Sequence, residues 1–136
     1  MVADIYLTKS IKLHLEAIPF DSSSHTYAFT DKDCISLIDG KKAFGIDCYI
    51  PRTQLVQFNV FVDDTTYSLD VTQMYNPWYG NFDQKFVKME RNRNTITLRV
   101  SFGDGAGCYF GEWIVKGKNS YRLELTDDES FISKYF

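Results

Sequence analysis

Paired carboxylates are the residues of this sequence that most suggest chemistry. They occur at Asp31/Asp33 and Asp63/Asp64, with a further acidic group at residues 127–129. Two neighbouring carboxylates can act as the acid and base of a hydrolase or hold a cation. These groups have neither the spacing of a calcium loop nor a histidine–carboxylate cluster. We therefore predict turns and caps, with no catalytic residue and no metal site.

The two histidines and a glycine-rich run also favour structural roles. His14 alternates with Lys12 and Glu16, which predicts a solvent-facing position, and no serine or cysteine has a local nucleophile signature to pair with it. The run Gly103-Asp104-Gly105-Ala106-Gly107 could cradle a phosphate through its backbone amides. It lies between two predicted strands, however, and does not lead into a helix. We predict a hairpin loop there and no bound cofactor.

The segment from Gln73 to Asp83 is the strongest candidate for a binding site. It places four aromatic residues and a proline where the local pattern predicts a loop. Trp78, with Tyr75 and Tyr79, offers the side chains that dominate protein interfaces, and Asp83 supplies an acidic rim. Alternatively, the segment folds back and plugs one end of a β core. Solvent exposure of Trp78 would distinguish packing from recognition.

Alternation of apolar and polar residues along the whole chain predicts a mainly β protein. No window of helical length has a sustained apolar stripe. The alternation predicts an antiparallel β-sandwich or barrel of about eight or nine strands, with a short C-terminal helix capped by Thr126. Residues 1–136 read as a single domain. The candidate segments are 5–7, 11–15, 25–29, 34–38, 43–50, 55–62, 66–71, 85–90, 95–102, 108–115 and 120–125.

Composition limits the possible partners and locations. Fifteen Lys and Arg against eighteen Asp and Glu give a net charge of -3, which disfavours a nucleic-acid partner. No apolar stretch approaches the roughly 20 residues that span a bilayer, so we expect no membrane insertion. The N-terminus lacks a secretory signal pattern, which predicts a cytoplasmic protein.

Three cysteines, Cys34, Cys48 and Cys108, are widely spaced and odd in number. They show neither a CxxC pair nor a histidine at metal-ligand spacing. Cys48 lies within the apolar run of residues 44–50. We predict that all three are reduced and serve as small core residues.

A small, mildly acidic, single-domain chain with no secretory signal and no catalytic set resembles the immunity proteins that protect bacteria from contact-dependent or other polymorphic toxins. The resemblance lies in overall character and in no residue motif. It implies a cytosolic inhibitor that binds a toxin domain, such as a nuclease with a basic cleft, and blocks it sterically and electrostatically. The oligomeric state stays open. On this hypothesis the contact residues are Asp63, Asp64, Tyr75, Trp78, Tyr79 and Asp83.

A second hypothesis is a small-molecule-binding β-barrel or sandwich. The chain is 16% aromatic, and those side chains could line a cavity with Trp78 at its mouth. A retained small molecule in protein purified from its host would favour this hypothesis over the immunity protein.

Overall fold

The protein is mainly β, with strands in three antiparallel sheets and one short helix at the C-terminus. The computed structural model describes residues 1–103 and 105–136. The elements in these ranges are β1 (Val2–Tyr6), β2 (Ile11–Pro19), β3 (Tyr27–Phe29), β4 (Ile35–Ile38), β5 (Lys41–Lys42), β6 (Thr53–Val62), β7 (Thr65–Ser68), β8 (Val87–Asn92), β9 (Thr95–Phe102), β10 (Tyr109–Lys116), β11 (Asn119–Thr126) and α1 (Glu129–Tyr135).

Two four-stranded sheets form a sandwich. Sheet 1 has the order β1-β2-β6-β7 and sheet 2 the order β11-β10-β9-β8. Side chains alternate between the two faces of a strand, so β2 buries every second residue from Ile11 to Ala17, and β9 buries every second residue from Ile96 to Phe102. The buried faces of both sheets join in one hydrophobic core. This confirms the predicted fold class, as a sandwich and not a closed barrel.

Aromatic side chains fill the centre of this core. Phe58 of sheet 1 packs edge-on against Trp113 of sheet 2, with ring centroids 5.0 Å apart. Phe102 stacks on Tyr109 at 5.2 Å. The indole nitrogen of Trp113 donates to the backbone oxygen of Asp70 at 2.9 Å, so its polar atom is satisfied inside the sandwich.

A small third sheet lies between β2 and β6 in the chain and departs from the prediction. Sheet 3 has the order β3-β4-β5. The strand predicted over 43–50 is wrong, since Phe44 forms only an isolated bridge to Met74 and a loop follows. Gly45 and Cys48 adopt φ angles of 92° and 73°, which end the extended conformation that a strand requires.

A disulfide bond joins Cys34 to Cys48, with Cα atoms 4.2 Å apart. The prediction that these two cysteines are reduced core residues is therefore wrong. Sheet 3 and the loop after it bring the two thiols together, and sequence spacing alone did not reveal this pairing. Cys108 is half-buried directly before β10.

The predicted C-terminal helix is present as α1, and it packs on the outer face of sheet 2. Phe110 is fully buried there, and its ring stacks on Tyr135 at 5.6 Å. The N-cap is Asp128, whose carboxylate accepts from the Ser130 amide, so the predicted Thr126 cap is wrong by two residues. The Thr126 hydroxyl instead accepts from the backbone amide of Asp128.

Candidate functional site

The aromatic segment divides into a buried part and an exposed part. Tyr75 and Trp78 are only 5% and 6% exposed, and the Trp78 ring packs against Phe82 with centroids 5.3 Å apart. Tyr79 is 53% exposed, and Asp83 is also at the surface. Trp78 therefore packs into the main core and Tyr75 into a smaller cluster with Ile35 and Ile38 of sheet 3, whereas Tyr79 and Asp83 are available to a partner.

The acidic pair Asp63 and Asp64 lies far from these residues. Both are exposed in the turn between β6 and β7. The opposite end of β6, at Thr53, accepts a hydrogen bond from the backbone of Asn76. Ten strand residues span about 30 Å, so the six predicted contact residues do not form one surface.

The end of the sandwich that carries Tyr79 gathers three loops, and we call it the loop end. Residues 43–52 and 73–83 meet there with Gly103 and residues 105–108. Tyr49 is 77% exposed, and Ile50 is half exposed beside it. With Tyr79 they form an apolar surface that we call the aromatic ridge, and all three line an open concavity of about 450 Å³ that also contains Asp47 and Arg52.

A second concavity lies on the other side of Tyr79. Its volume is about 330 Å³, and its walls include four aromatic residues together with Lys85. The aromatic residues are Trp78, Tyr79, Phe82 and Phe86. Tyr79 lines both concavities and therefore stands between them.

Buried Asn76 ties two of the three loops together. Its side-chain oxygen accepts from the backbone amides of Arg52 at 2.9 Å and Thr53 at 3.2 Å. Its side-chain nitrogen donates to the backbone oxygen of Gly45 at 2.9 Å. The φ angle of Asn76 is 45°, a region that asparagine tolerates better than most residues. These three bonds fix the loop that carries Tyr49 against the loop that carries Tyr79.

Gly45 allows the same two loops to approach closely. A Cβ at this position would lie 1.8 Å from the backbone oxygen of Tyr75. That oxygen also accepts from the Tyr109 hydroxyl at 3.0 Å. Burial raises the pKa of Tyr109 well above its usual range, so the hydroxyl keeps its proton and remains a donor.

The disulfide holds the base of the ridge. Cys48 directly precedes Tyr49, and its backbone oxygen accepts from the Ile35 amide at 2.9 Å. The bond to Cys34 adds a covalent link between this loop and the residue directly before β4 of sheet 3. Tyr49 and Ile50 are therefore displayed on a loop whose backbone is already ordered.

Three residues of this site were not predicted from the sequence, because alternation placed them in a strand: Asp47, Tyr49 and Ile50. Two signals in the sequence could have indicated a loop. Gly45 and Pro51 bracket the run, and both residues are common in turns. Cys48 between them could have suggested a disulfide.

Within residues 1–103 and 105–136, no group of three or more His, Cys, Asp or Glu side chains is placed to hold a metal ion. In the same ranges no helix has the length and apolar character needed to cross a bilayer.

The glycine-rich run joins β9 to the antiparallel β10 through a 3-10 turn at Gly105–Gly107, as a hairpin connection. Asp104 lies outside the described residues.

No family model matches the chain, and comparisons with curated proteins and with solved structures found no match either. The chemistry of the loop end therefore has to be judged from its own residues.

Proposed function

We propose that the chain is an immunity protein that binds a toxin domain through the loop end and neutralises it by covering its active site. The observation that carries the proposal is the aromatic ridge of Tyr49, Ile50 and Tyr79, exposed on loops that buried hydrogen bonds and a disulfide hold in place.

The ridge has the properties of a protein-binding surface. Tyrosine side chains give large contact area at low cost in conformational entropy, and they are enriched in interface hot spots. Because the loops are ordered beforehand, little further ordering is needed when a partner binds. The concavities on both sides of Tyr79 are open and can receive side chains from a partner.

Charge and the resemblance to immunity proteins support a toxin domain as the partner. Asp47 and Asp83 are exposed near the two concavities, and the chain carries a net charge of -3. Arg52 and Lys85 line the same concavities and offset these two carboxylates. Attraction to a basic cleft therefore comes from the net negative charge of the whole protein. The proposed contact residues are Tyr49, Ile50, Tyr79, Asp47 and Asp83. Tyr75 and Trp78 are buried and are not among the contact residues.

The location of the protein bears on this proposal. The sequence predicts the cytoplasm, where thiols are normally kept reduced, whereas a disulfide is typical of oxidising compartments. The cytoplasmic location therefore stays a prediction. Alkylation of the protein in its host, followed by mass spectrometry, would decide between the two locations. Disulfide-bonded cysteines do not react with the reagent, so an unmodified Cys34–Cys48 pair would place the chain in an oxidising compartment.

Calorimetric titration with a toxin domain encoded beside the chain tests the proposal. We expect nanomolar affinity for the wild type and a loss of about tenfold or more for Tyr79→Ala or Tyr49→Ala. Tyr121→Ala is a matched control, because Tyr121 is 55% exposed on β11 of sheet 2. Absence of wild-type binding would contradict the function. Equal affinities for all variants would contradict only the contact surface.

A second candidate function is small-molecule binding, and the aromatic concavity of about 330 Å³ favours it. This volume lies at the lower end of the range for ligand sites, and Trp78 forms part of the wall. Native mass spectrometry of protein purified from its host tests this candidate. A bound small molecule that is lost in Phe86→Ala would support it.

A further inference from the structure

The opposite end of the sandwich carries two adjacent hairpin turns of similar composition, and we call it the hairpin end. Each connection is a two-residue turn together with the strand residues that adjoin it. The β8–β9 connection in this sense reads Arg91-Asn92-Arg93-Asn94, and the β10–β11 connection reads Lys116-Gly117-Lys118-Asn119. All eight residues are exposed. Each connection supplies two cations, and we call the four side chains the basic rim. Its members are Arg91, Arg93, Lys116 and Lys118.

Strand register places the two connections side by side. Asn92 pairs with Thr95, Thr95 with Lys116, and Lys116 with Asn119, so these residues form one row across sheet 2. Neighbouring strands are about 4.8 Å apart, which puts the two turns about 10 Å from each other. The Tyr67 hydroxyl donates to the Gly117 backbone oxygen and fixes the second turn to sheet 1.

A concavity between the turns offers hydrogen-bond donors without an opposing carboxylate. Its volume is about 470 Å³. A guanidinium, an ammonium, two amides and a hydroxyl come from the residues that line it, which are Asn92, Arg93, Asn94, Thr95 and Lys116. Arginine can bind two oxygens of a phosphate at once, and lysine adds a point charge.

The four cations are not neutralised within the described part of the chain. Other cations, such as Lys12, Lys42 and Arg99, form ion pairs, but no ion pair within residues 1–103 and 105–136 includes a member of the basic rim. Asp63 and Asp64 lie at the same end, in a turn of sheet 1. The rest of the chain, outside the four rim residues, has eleven Lys and Arg against eighteen Asp and Glu. Positive charge is thus concentrated on one edge of an acidic protein.

We propose that the basic rim binds a soluble oligophosphate, an anion with two or more linked phosphate groups. Arg93 and Lys116 hold one phosphate in the concavity between the turns, and Lys118 in the adjacent turn neutralises charge on the others. Arg91 lines a separate concavity with Val62 and Tyr67 and adds positive charge from a longer distance. A soluble ligand fits better than a lipid head group, because residues 91–95 and 116–119 present no exposed large apolar side chain that could enter a bilayer. This site is at the opposite end from the ridge and does not depend on the proposed toxin partner.

Titration of the full chain with tripolyphosphate, followed by NMR at low ionic strength, tests the proposal. We expect saturable shifts confined to the amides of residues 91–95 and 116–119. The double variant Arg93→Ala/Lys116→Ala is expected to bind about tenfold more weakly. Lys32→Ala/Lys41→Ala is the control, because it removes the same charge from two exposed lysines of the β3–β4 turn and β5, and the affinity of this variant should stay within about twofold of the wild type.

Three results would overturn the proposal. One is shifts that never saturate, and another is an equal loss of affinity in Lys32→Ala/Lys41→Ala, which would indicate a diffuse charge effect. The third is binding to vesicles of phosphatidylcholine and phosphatidylglycerol without binding to tripolyphosphate, which would indicate a lipid surface. If the double variant does not fold, Lys116→Ala/Lys118→Ala replaces it, and unchanged affinity in that variant would also contradict the site.

Discussion

Trp78 and Tyr79 are neighbours in sequence, and the fold gives them opposite roles. Trp78 turns inward onto Phe82, whose ring stacks on Phe102 of the core at 5.9 Å. Tyr79 turns outward between the two concavities. Composition alone made both residues equal candidates for an interface. The fold gives them different roles because the two consecutive side chains point to opposite sides of the loop, Trp78 into the core and Tyr79 into solvent.

Substitution of the two residues should therefore have different consequences for stability. We expect Trp78→Ala to lower the free energy of unfolding by about 3–5 kcal/mol, because it leaves a cavity beside Phe82. Tyr79→Ala should change it by about 0.5 kcal/mol or less, because the side chain is largely solvated. Urea denaturation measures both. Similar losses in the two variants would mean that Tyr79 also packs, and would remove it from the ridge.

At the scale of elements, the segment from β4 to the start of β6 decides the shape of the loop end. β5 has two residues, and the chain beyond it is held by the disulfide, by Gly45 against Tyr75 and by the Asn76 side chain. A short sheet with few paired residues gains little stability by itself. The order of this segment therefore depends on cross-links to its neighbours.

Reduction of the disulfide should measure that dependence. The bond closes a loop between residues 14 apart in sequence, and a loop of this size is worth about 3 kcal/mol in the chain-entropy account. We expect dithiothreitol to lower the free energy of unfolding by about that amount and to speed amide exchange at residues 45–50. The variant Cys34→Ala/Cys48→Ala should be insensitive to dithiothreitol. A wild type that is equally insensitive would contradict the expected contribution of the disulfide to stability.

At the scale of the whole molecule, the two ends of the sandwich differ in chemistry. The loop end presents aromatic side chains on cross-linked loops, and the hairpin end presents cations on two-residue turns. The long strands of both sheets separate them, so each surface can be altered without altering the other. Several carboxylates outside both surfaces accept hydrogen bonds from neighbouring side chains. These bonds should influence how the free energy of unfolding depends on pH.

Acid should destabilise the fold through these carboxylates. The imidazole of His14 donates to Asp4 at 2.7 Å and that of His25 to Asp39 at 2.6 Å, and these hydrogen bonds lower the pKa of both carboxyls. Their pKa is lower in the folded than in the unfolded chain. The stabilisation is therefore present above the unfolded pKa of about 4 and is lost as pH falls through the folded pKa.

Urea midpoints measured between pH 6 and pH 2 would show this loss. The variant Asp4→Asn/Asp39→Asn is expected to lose less stability over the same range than the wild type. Both carboxylates are at the surface, so the difference should be small. An identical pH dependence in the two proteins would mean that these hydrogen bonds do not influence folding.

The sequence by itself determined the β class, the amphipathic strand β9 with its bounds at Thr95 and Phe102, and the presence of a short C-terminal helix, because alternation and local turn residues act over short distances. Only the tertiary structure decided the Cys34–Cys48 bond, the burial of Trp78 and the meeting of Tyr49 with Tyr79. Each of these depends on which loops are neighbours in space, and close contacts such as Gly45 with Tyr75 set that arrangement between residues far apart in the chain.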